Sequence, residues 1–276
     1  MNAGLPEPPA IALEGVHITF DEREVLAGVS FAVAAGETLV LLGETGTGKT
    51  VLLKILAGLM RPDAGRIRVL GNEVTEMPES ELLAFRRQLG FVFQEGALFD
   101  SLTVAENVAY RLREEGADED EIESKVDESL RFVEMEGAKE KLPGELSGGM
   151  RRRVSIARAL ITRPPIVLYD SPTAGLDPVT SQVIITLILR LRDVYGVTSV
   201  VATQRIQDAF ALANYRFAAE ANAVVRDGGN GRATAGGKPG GPQTRFMFLR
   251  GGKVYFEGDQ EAVSGTKDAY LQRFLV

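Results

Sequence analysis

The sequence predicts an α/β layer fold with a mostly parallel core sheet. Three observations carry that reading. Apolar runs of strand length recur at ETLVLLG (37–43), IVLY (166–169) and VTSVVAT (197–203), the pattern of strands buried on both faces. Segments with apolar residues at helical spacing, 49–59 and about 178–193, alternate with them. Turn-forming residues such as RPDAG at 61–65 punctuate the boundaries.

In chain order, residues 11–42 read as strands: IALEGVHITF, then VLAGVSFAV, then the first buried run. KTVLLKILAGL (49–59) reads as a helix that stops at Gly58. RIRVLGNEV (66–74) returns as strand and turn. From Pro78 to Leu160 helical periodicity dominates, broken by FVFQEGALF (91–99), so the middle of the chain reads as an inserted helical subdomain. Residues 228–241 hold seven glycines and two charged side chains and read as a flexible surface excursion. RFMFLRGGKVYFEG (245–258) reads as a hairpin around Gly251-Gly252.

Composition narrows the chemistry. The 276 residues include no cysteine and one histidine, which excludes thiol catalysis, thiolate metal ligation and a multi-histidine metal site. No apolar run reaches the roughly 18–20 residues of a membrane span. MNAGLPEPPA has neither the basic nor the apolar part of a secretory signal, so a cytoplasmic protein is expected. The formal charge of −7 is unevenly placed: Glu114–Glu128 holds nine acids against one lysine, so the remainder is close to neutral. That run reads as a solvated helix face or loop.

Gly43-Glu44-Thr45-Gly46-Thr47-Gly48-Lys49-Thr50 fits G-x-x-x-x-G-K-[ST] between a buried strand and a helix start, the context this phosphate-binding loop requires. Its backbone N–H groups and the helix dipole favour phosphate oxygens. Lys49 offers a charge for the β- and γ-phosphates, and the Thr50 hydroxyl a ligand for Mg²⁺. Asp170, at the end of IVLYD, is the acidic partner expected to hold Mg²⁺ through its water shell.

Leu146-Ser147-Gly148-Gly149-Met150, followed by RRRVSIARAL, resembles the signature loop of ABC ATPases. The resemblance covers nearly the whole chain in the family's motif order. Phe20 looks like the aromatic that stacks on adenine. Gln94, in FVFQ, looks like the Q-loop glutamine, and Ala174-Gly175-Leu176-Asp177 like the D-loop. The stretch GFVFQEGALFDSLTVAENVAY and the motif LSGGMRRRV are similar to the ATPase subunits of Mce/Mla-type lipid transporters.

The resemblance implies a P-loop NTPase core with an N-terminal antiparallel β subdomain and an inserted α-helical signature subdomain. It implies one ABC ATPase domain over 1–276: nucleotide-binding core at 1–94 and 165–276, helical subdomain at 95–164, and a Gly-rich insertion at 222–244. It implies ATP and Mg²⁺ as cofactors, with Thr50, Gln94 and Asp170 at the metal. Ser147, Gly148 and Gly149 would contact ATP held by an opposing subunit, so a homodimer or a second ATPase subunit is expected. The other expected partners are an integral-membrane permease, with Leu98 and Phe99 read either as its contacts or as core of the helical subdomain, and a Mce-type substrate-binding subunit. The expected place is the cytoplasmic side of the cell membrane, through the permease. Arg151–Arg153 read as a solvated basic stripe, and no nucleic-acid role is expected.

Two positions depart from the family. Ser171 follows Asp170 where the family carries the glutamate usually read as general base. A serine hydroxyl is no useful base at pH 7, and a positioned acid–base group contributes about 10²–10⁴ in rate. Gln204, in VVATQRIQDAF, stands where the family carries its switch histidine. The only histidine, His17, lies in the first strand and reads as structural. Glutamine can donate to a phosphate oxygen and accept from water without carrying charge, as the water-orienting Gln of GTPases does. Asp177, Gln94, Asp170, Ser171 and Gln204 are the expected catalytic set. The departures leave three readings open: a slow ATPase, a partner to an intact subunit, or a nucleotide-gated regulatory clamp. A soluble translation or repair protein is disfavoured, because the chain has neither a second nucleotide domain nor a long coiled coil.

Overall fold

The computed structural model describes residues 8–227 and 244–275. The first strands are β1 (Ile11–Phe20) and β2 (Arg23–Val33), a hairpin, followed by β3 (Thr38–Leu42), α1 (Lys49–Leu56), β4 (Ala64–Val69) and β5 (Asn72–Glu73). Helix α2 (Glu79–Arg86) and β6 (Leu89–Val92) lead into α3 (Val104–Glu114), α4 (Glu119–Phe132) and α5 (Gly148–Leu160). Then come β7 (Ile166–Asp170), α6 (Pro178–Tyr195), β8 (Thr198–Ala202), α7 (Ile206–Asn214), β9 (Tyr215–Ala218) and β10 (Ala223–Arg226). The described chain ends with β11 (Thr244–Arg250), β12 (Lys253–Gly258), α8 (Gln260–Ser264) and α9 (Ala269–Leu275).

The central sheet runs in the order β12-β11-β3-β8-β7-β6. Strands β11, β3, β8, β7 and β6 pair in parallel, and β12 closes one edge antiparallel. A four-stranded antiparallel sheet, β2-β1-β4-β5, lies toward the N-terminus. Side chains on successive strand residues point to opposite faces, and both faces of the central sheet are covered. Leu39, Leu41, Ile166, Leu168 and Val200 pack toward β1, β2, β4 and α1. Val40, Leu42, Val167, Tyr169 and Val201 pack toward α3, α5, α6 and α7. That double burial explains the unbroken apolar runs in the sequence.

The acidic run divides between the end of α3 and the length of α4. Ile122, Val126 and Leu130 form the buried stripe of α4, while the acids face outward. Asp118 caps its first turn, and Glu119, Asp120 and Glu121 sit where a helix N-terminus favours negative charge.

Two expectations are corrected. The insertion placed at 222–244 is too wide: Ala223–Arg226 is β10, paired with β9 across a turn at Asn222, and Thr244 already belongs to β11. The glycine-rich stretch 228–241 lies outside the described residues. The basic stripe Arg151–Arg153 is not a solvated face. Arg151 donates to Leu146 O at 2.6 Å, Arg152 to Phe93 O at 2.7 Å, and Arg153 to Val133 O at 3.2 Å and Glu134 O at 3.1 Å. Arg152 is buried, so these guanidinium groups anchor loops.

Candidate functional site

Strand β3 ends at Leu42 and α1 begins at Lys49, so the six residues between them turn back over the carboxyl edge of the parallel sheet. Ligands bind at that edge in open α/β sheets. Gly48 precedes α1 in the left-handed region, with φ 98°, and an added Cβ would lie 2.8 Å from Leu26 Cδ2. The loop therefore packs on β2 with no room for a side chain.

Lys49 is buried and has no carboxylate within ion-pairing distance among the described residues. Its Nζ donates to the carbonyls of Gly43 at 2.7 Å and Glu44 at 2.8 Å. Burial pulls its pKa down to about 8, against a smaller upward pull from Asp170. A buried ammonium ringed by carbonyl oxygens is a site short of an anion. Thr50 Oγ1 lies beside it and donates to Asp170 Oδ1 at 3.1 Å, joining α1 to the end of β7. Two hard oxygen donors from neighbouring elements fit a Mg²⁺ ion with retained waters.

Ser171 and Gln204 border the same place. Ser171 has left-handed backbone, φ 48°, and its N–H donates to Ala202 O at 2.8 Å. Its hydroxyl is 3.5 Å from Asp170 Oδ1. Gln204 follows β8 and its Oε1 accepts from Thr45 Oγ1 at 3.0 Å. The chain thus brings Thr45, Lys49, Thr50, Asp170, Ser171 and Gln204 to the ends of three parallel strands.

Ser147, Gly148, Gly149, Asp177, Phe20 and Gln94 are not hydrogen-bonded to that group. Ser147 caps α5, accepting from Met150 N at 3.2 Å, with Gly148 and Gly149 in the first turn. Gly149 is pressed against Thr180, which fixes the start of α5 on α6. Asp177 caps α6, accepting from Thr180 N at 3.0 Å and Thr180 Oγ1 at 2.6 Å, bonds that hold its carboxyl below the usual range. Phe20 stands exposed at the end of β1. Gln94 follows β6, and the neighbouring carbonyl of Phe93 is held by Arg152. His17 pairs with Glu24 at 2.8 Å on the antiparallel sheet, far in the topology from the sheet edge that carries Gln204.

The sequence reading missed a buried network behind Ser171 and Gln204. Asp208, on α7, accepts from the hydroxyls of Thr173 and Thr203, the latter at 3.1 Å. Arg205 reaches Thr173 O at 3.3 Å and Ser181 Oγ at 3.1 Å. One carboxylate therefore ties the loop after β7 to the loop after β8. The only sequence signal for it was an acid in an unassigned helical turn.

Known proteins place this geometry. The ABC transporter family model matches residues 26–174. A probable ribonucleotide transport ATP-binding protein, mkl, of Mycobacterium leprae is 40% identical over 206 residues, covering 74% of this chain and 59% of the relative. This chain therefore spans about three fifths of that protein's length. The intermembrane phospholipid transport system ATP-binding protein MlaF of Escherichia coli is 34% identical over 219 residues, covering 79% of this chain and 81% of MlaF. The dimeric post-hydrolysis structure of the ATP-binding cassette MJ0796, bound to ADP and Pi, superposes with a TM-score of 0.75 at 29% identity. That match covers 90% of this chain and 98% of the cassette. The chain belongs to the ABC transporter family, as one of its ATP-binding cassettes.

Proposed function

We propose that this chain binds ATP with Mg²⁺, hydrolyses it slowly, and drives a separate membrane permease for a lipid or other hydrophobic substrate. The observation that carries the reading is the buried, counterion-poor Lys49 beside the Thr50–Asp170 oxygen pair. Lys49 would meet the β- and γ-phosphates, aided by the N–H groups of 43–50 and the α1 dipole. Thr50, Asp170 and Gln94 would hold Mg²⁺, which neutralises phosphate charge when bound. Phe20 would stack on the base. Ser147, Gly148 and Gly149 would complete the site on ATP held by an opposing subunit, with Asp177 at the same junction.

Gln204 would orient the attacking water, since its amide can donate to phosphate and accept from water. Ser171 supplies no base, so hydrolysis is the weak step. The alternative reading is a regulatory or partner subunit that binds ATP with negligible turnover. It is favoured by the same two residues.

The name of MlaF supports a phospholipid cargo, and the name of mkl a ribonucleotide one; the motif resemblance at 90–110 favours the first. Among the described residues no helix is long and apolar enough to cross a membrane, which fits a separate permease. The contact would be made by Leu98 and Phe99. Phe99 and Tyr110 are exposed with ring centroids 4.6 Å apart, and Arg158 holds the loop by donating to Gly96 O and Ala97 O. The chain would then work as a single domain at the cytoplasmic face of the membrane, in a homo- or hetero-dimer, with a Mce-type subunit as a further partner.

Steady-state phosphate release from the purified chain and its Ser171→Glu and Gln204→Ala variants tests the reading. Slow wild-type release, faster release by Ser171→Glu and slower release by Gln204→Ala support it. Wild-type release at ordinary transporter rates refutes the weak-step assignment, and unchanged release by Gln204→Ala refutes the role of Gln204.

A further inference from the structure

A cavity of about 540 Å³ opens where the ends of α4, α5 and α6 meet, and it shares no residue with the phosphate-binding loop or its partners. Its apolar lining comes from Phe132, Leu160, Ile161, Leu191 and Val197. Tyr195 stands at its edge, 56% exposed, with its ring edge-on to Phe132 at 5.9 Å.

The charges around it are unequal in an otherwise acidic protein. Lys125 is paired with Glu121 at 2.6 Å, and Arg163 with Glu128 at 2.7 Å. Arg131 and Arg190 also line the cavity, and neither side chain has a hydrogen bond or ion pair among the described residues. Arg190 is nevertheless held in place. Its guanidinium lies over the Phe132 ring at 4.7 Å and over the Phe217 ring at 5.4 Å. Stacking fixes the plane of a guanidinium while leaving its in-plane donors for a carboxylate or phosphate.

A concave, mostly apolar cavity of several hundred cubic ångströms with one or two fixed polar groups is the usual form of a small-molecule site. We propose that this cavity binds a small anionic amphiphile, a carboxylate or phosphate monoester on an aliphatic chain. Its head would pair with Arg190, with Arg131 adding charge, and its chain would lie along Phe132, Leu160 and Leu191. The site stands apart from the nucleotide and would remain if the transport reading failed.

The chain contains no tryptophan, which makes a clean probe available. In a Tyr195→Trp chain the only indole stands at the cavity, and its fluorescence is titrated with decanoate, decyl phosphate, decanol and inorganic phosphate below micelle-forming concentrations. Saturable binding of both anionic amphiphiles, at least tenfold tighter than decanol or phosphate, is expected. Arg190→Gln in that background should weaken both amphiphiles at least tenfold, with ATP affinity and thermal midpoint unchanged. A Ser129→Trp chain, with an indole on the same lining, gives a second reading should Tyr195→Trp fold poorly. Equal binding of decanol, equal binding after Arg190→Gln, or no saturable response in either chain would overturn the proposal.

Discussion

Around Lys49, Thr50 and Asp170 each charged or polar atom has a role that phosphate or Mg²⁺ could take over. Around Ser171 and Gln204 both side chains are neutral, and neither is a useful base at pH 7. Both regions stand on the same parallel sheet and meet at the end of β7, where Ser171 follows Asp170, so scaffold quality does not separate them. What separates them is charge: a buried ammonium and a buried carboxylate on one side, two neutral side chains on the other. On the proposed reading, affinity for nucleotide and competence to cleave it are separable properties of one fold.

The largest expected effect comes from restoring the missing charge. Ser171→Glu should raise phosphate release by about 10²–10⁴, the range for one positioned base, with little change in ATP affinity. Phosphate-release kinetics and equilibrium ATP binding, measured on the same preparations, check both halves. Lys49→Ala attacks the other region. Losing one charged hydrogen-bonding group costs about 1.5–3 kcal/mol, so ATP affinity measured by titration should fall roughly 10- to 150-fold.

A subtler probe is pH. Lys49 must be charged to hold phosphate, and burial has lowered its pKa to about 8 in the nucleotide-free chain. ATP affinity should therefore fall as pH rises through 8, by about tenfold between pH 7 and pH 9. The sign is opposite for stability of the free chain. Its folded form binds fewer protons than the unfolded form between about 8 and the ordinary value of 10.5, so stability rises with pH across that window. Nucleotide titrations and denaturant melts at several pH values check the pair. The smallest effect is structural. Asp208→Ala strands the buried Thr173 and Thr203 hydroxyls and should cost about 1–3 kcal/mol in a denaturant melt.

The comparison also shows what was legible in the residues. The loop 43–50 was readable because its glycines, its lysine and its place between a strand and a helix are all local features. The buried strands were readable because both faces of the central sheet are covered. Asp208 was invisible for the opposite reason: its partners Thr173 and Thr203 come from two other segments, and nothing local marks the three as neighbours. The arginines 151–153 were misread because a basic run looks solvated until the carbonyls it reaches are known. Strands β9 and β10 escaped because four-residue strands of mixed polarity carry almost no period.

The separation of binding from cleavage is tested most directly by the identity of the retained nucleotide. The wild-type chain is incubated with Mg²⁺ and ATP for many minutes, freed of unbound ligand by rapid filtration, and the nucleotide it keeps is identified. Intact ATP, held by a dimer, is the predicted result, with ADP appearing in its place in Ser171→Glu. Retained ADP with rapid phosphate release in the wild-type chain would contradict it.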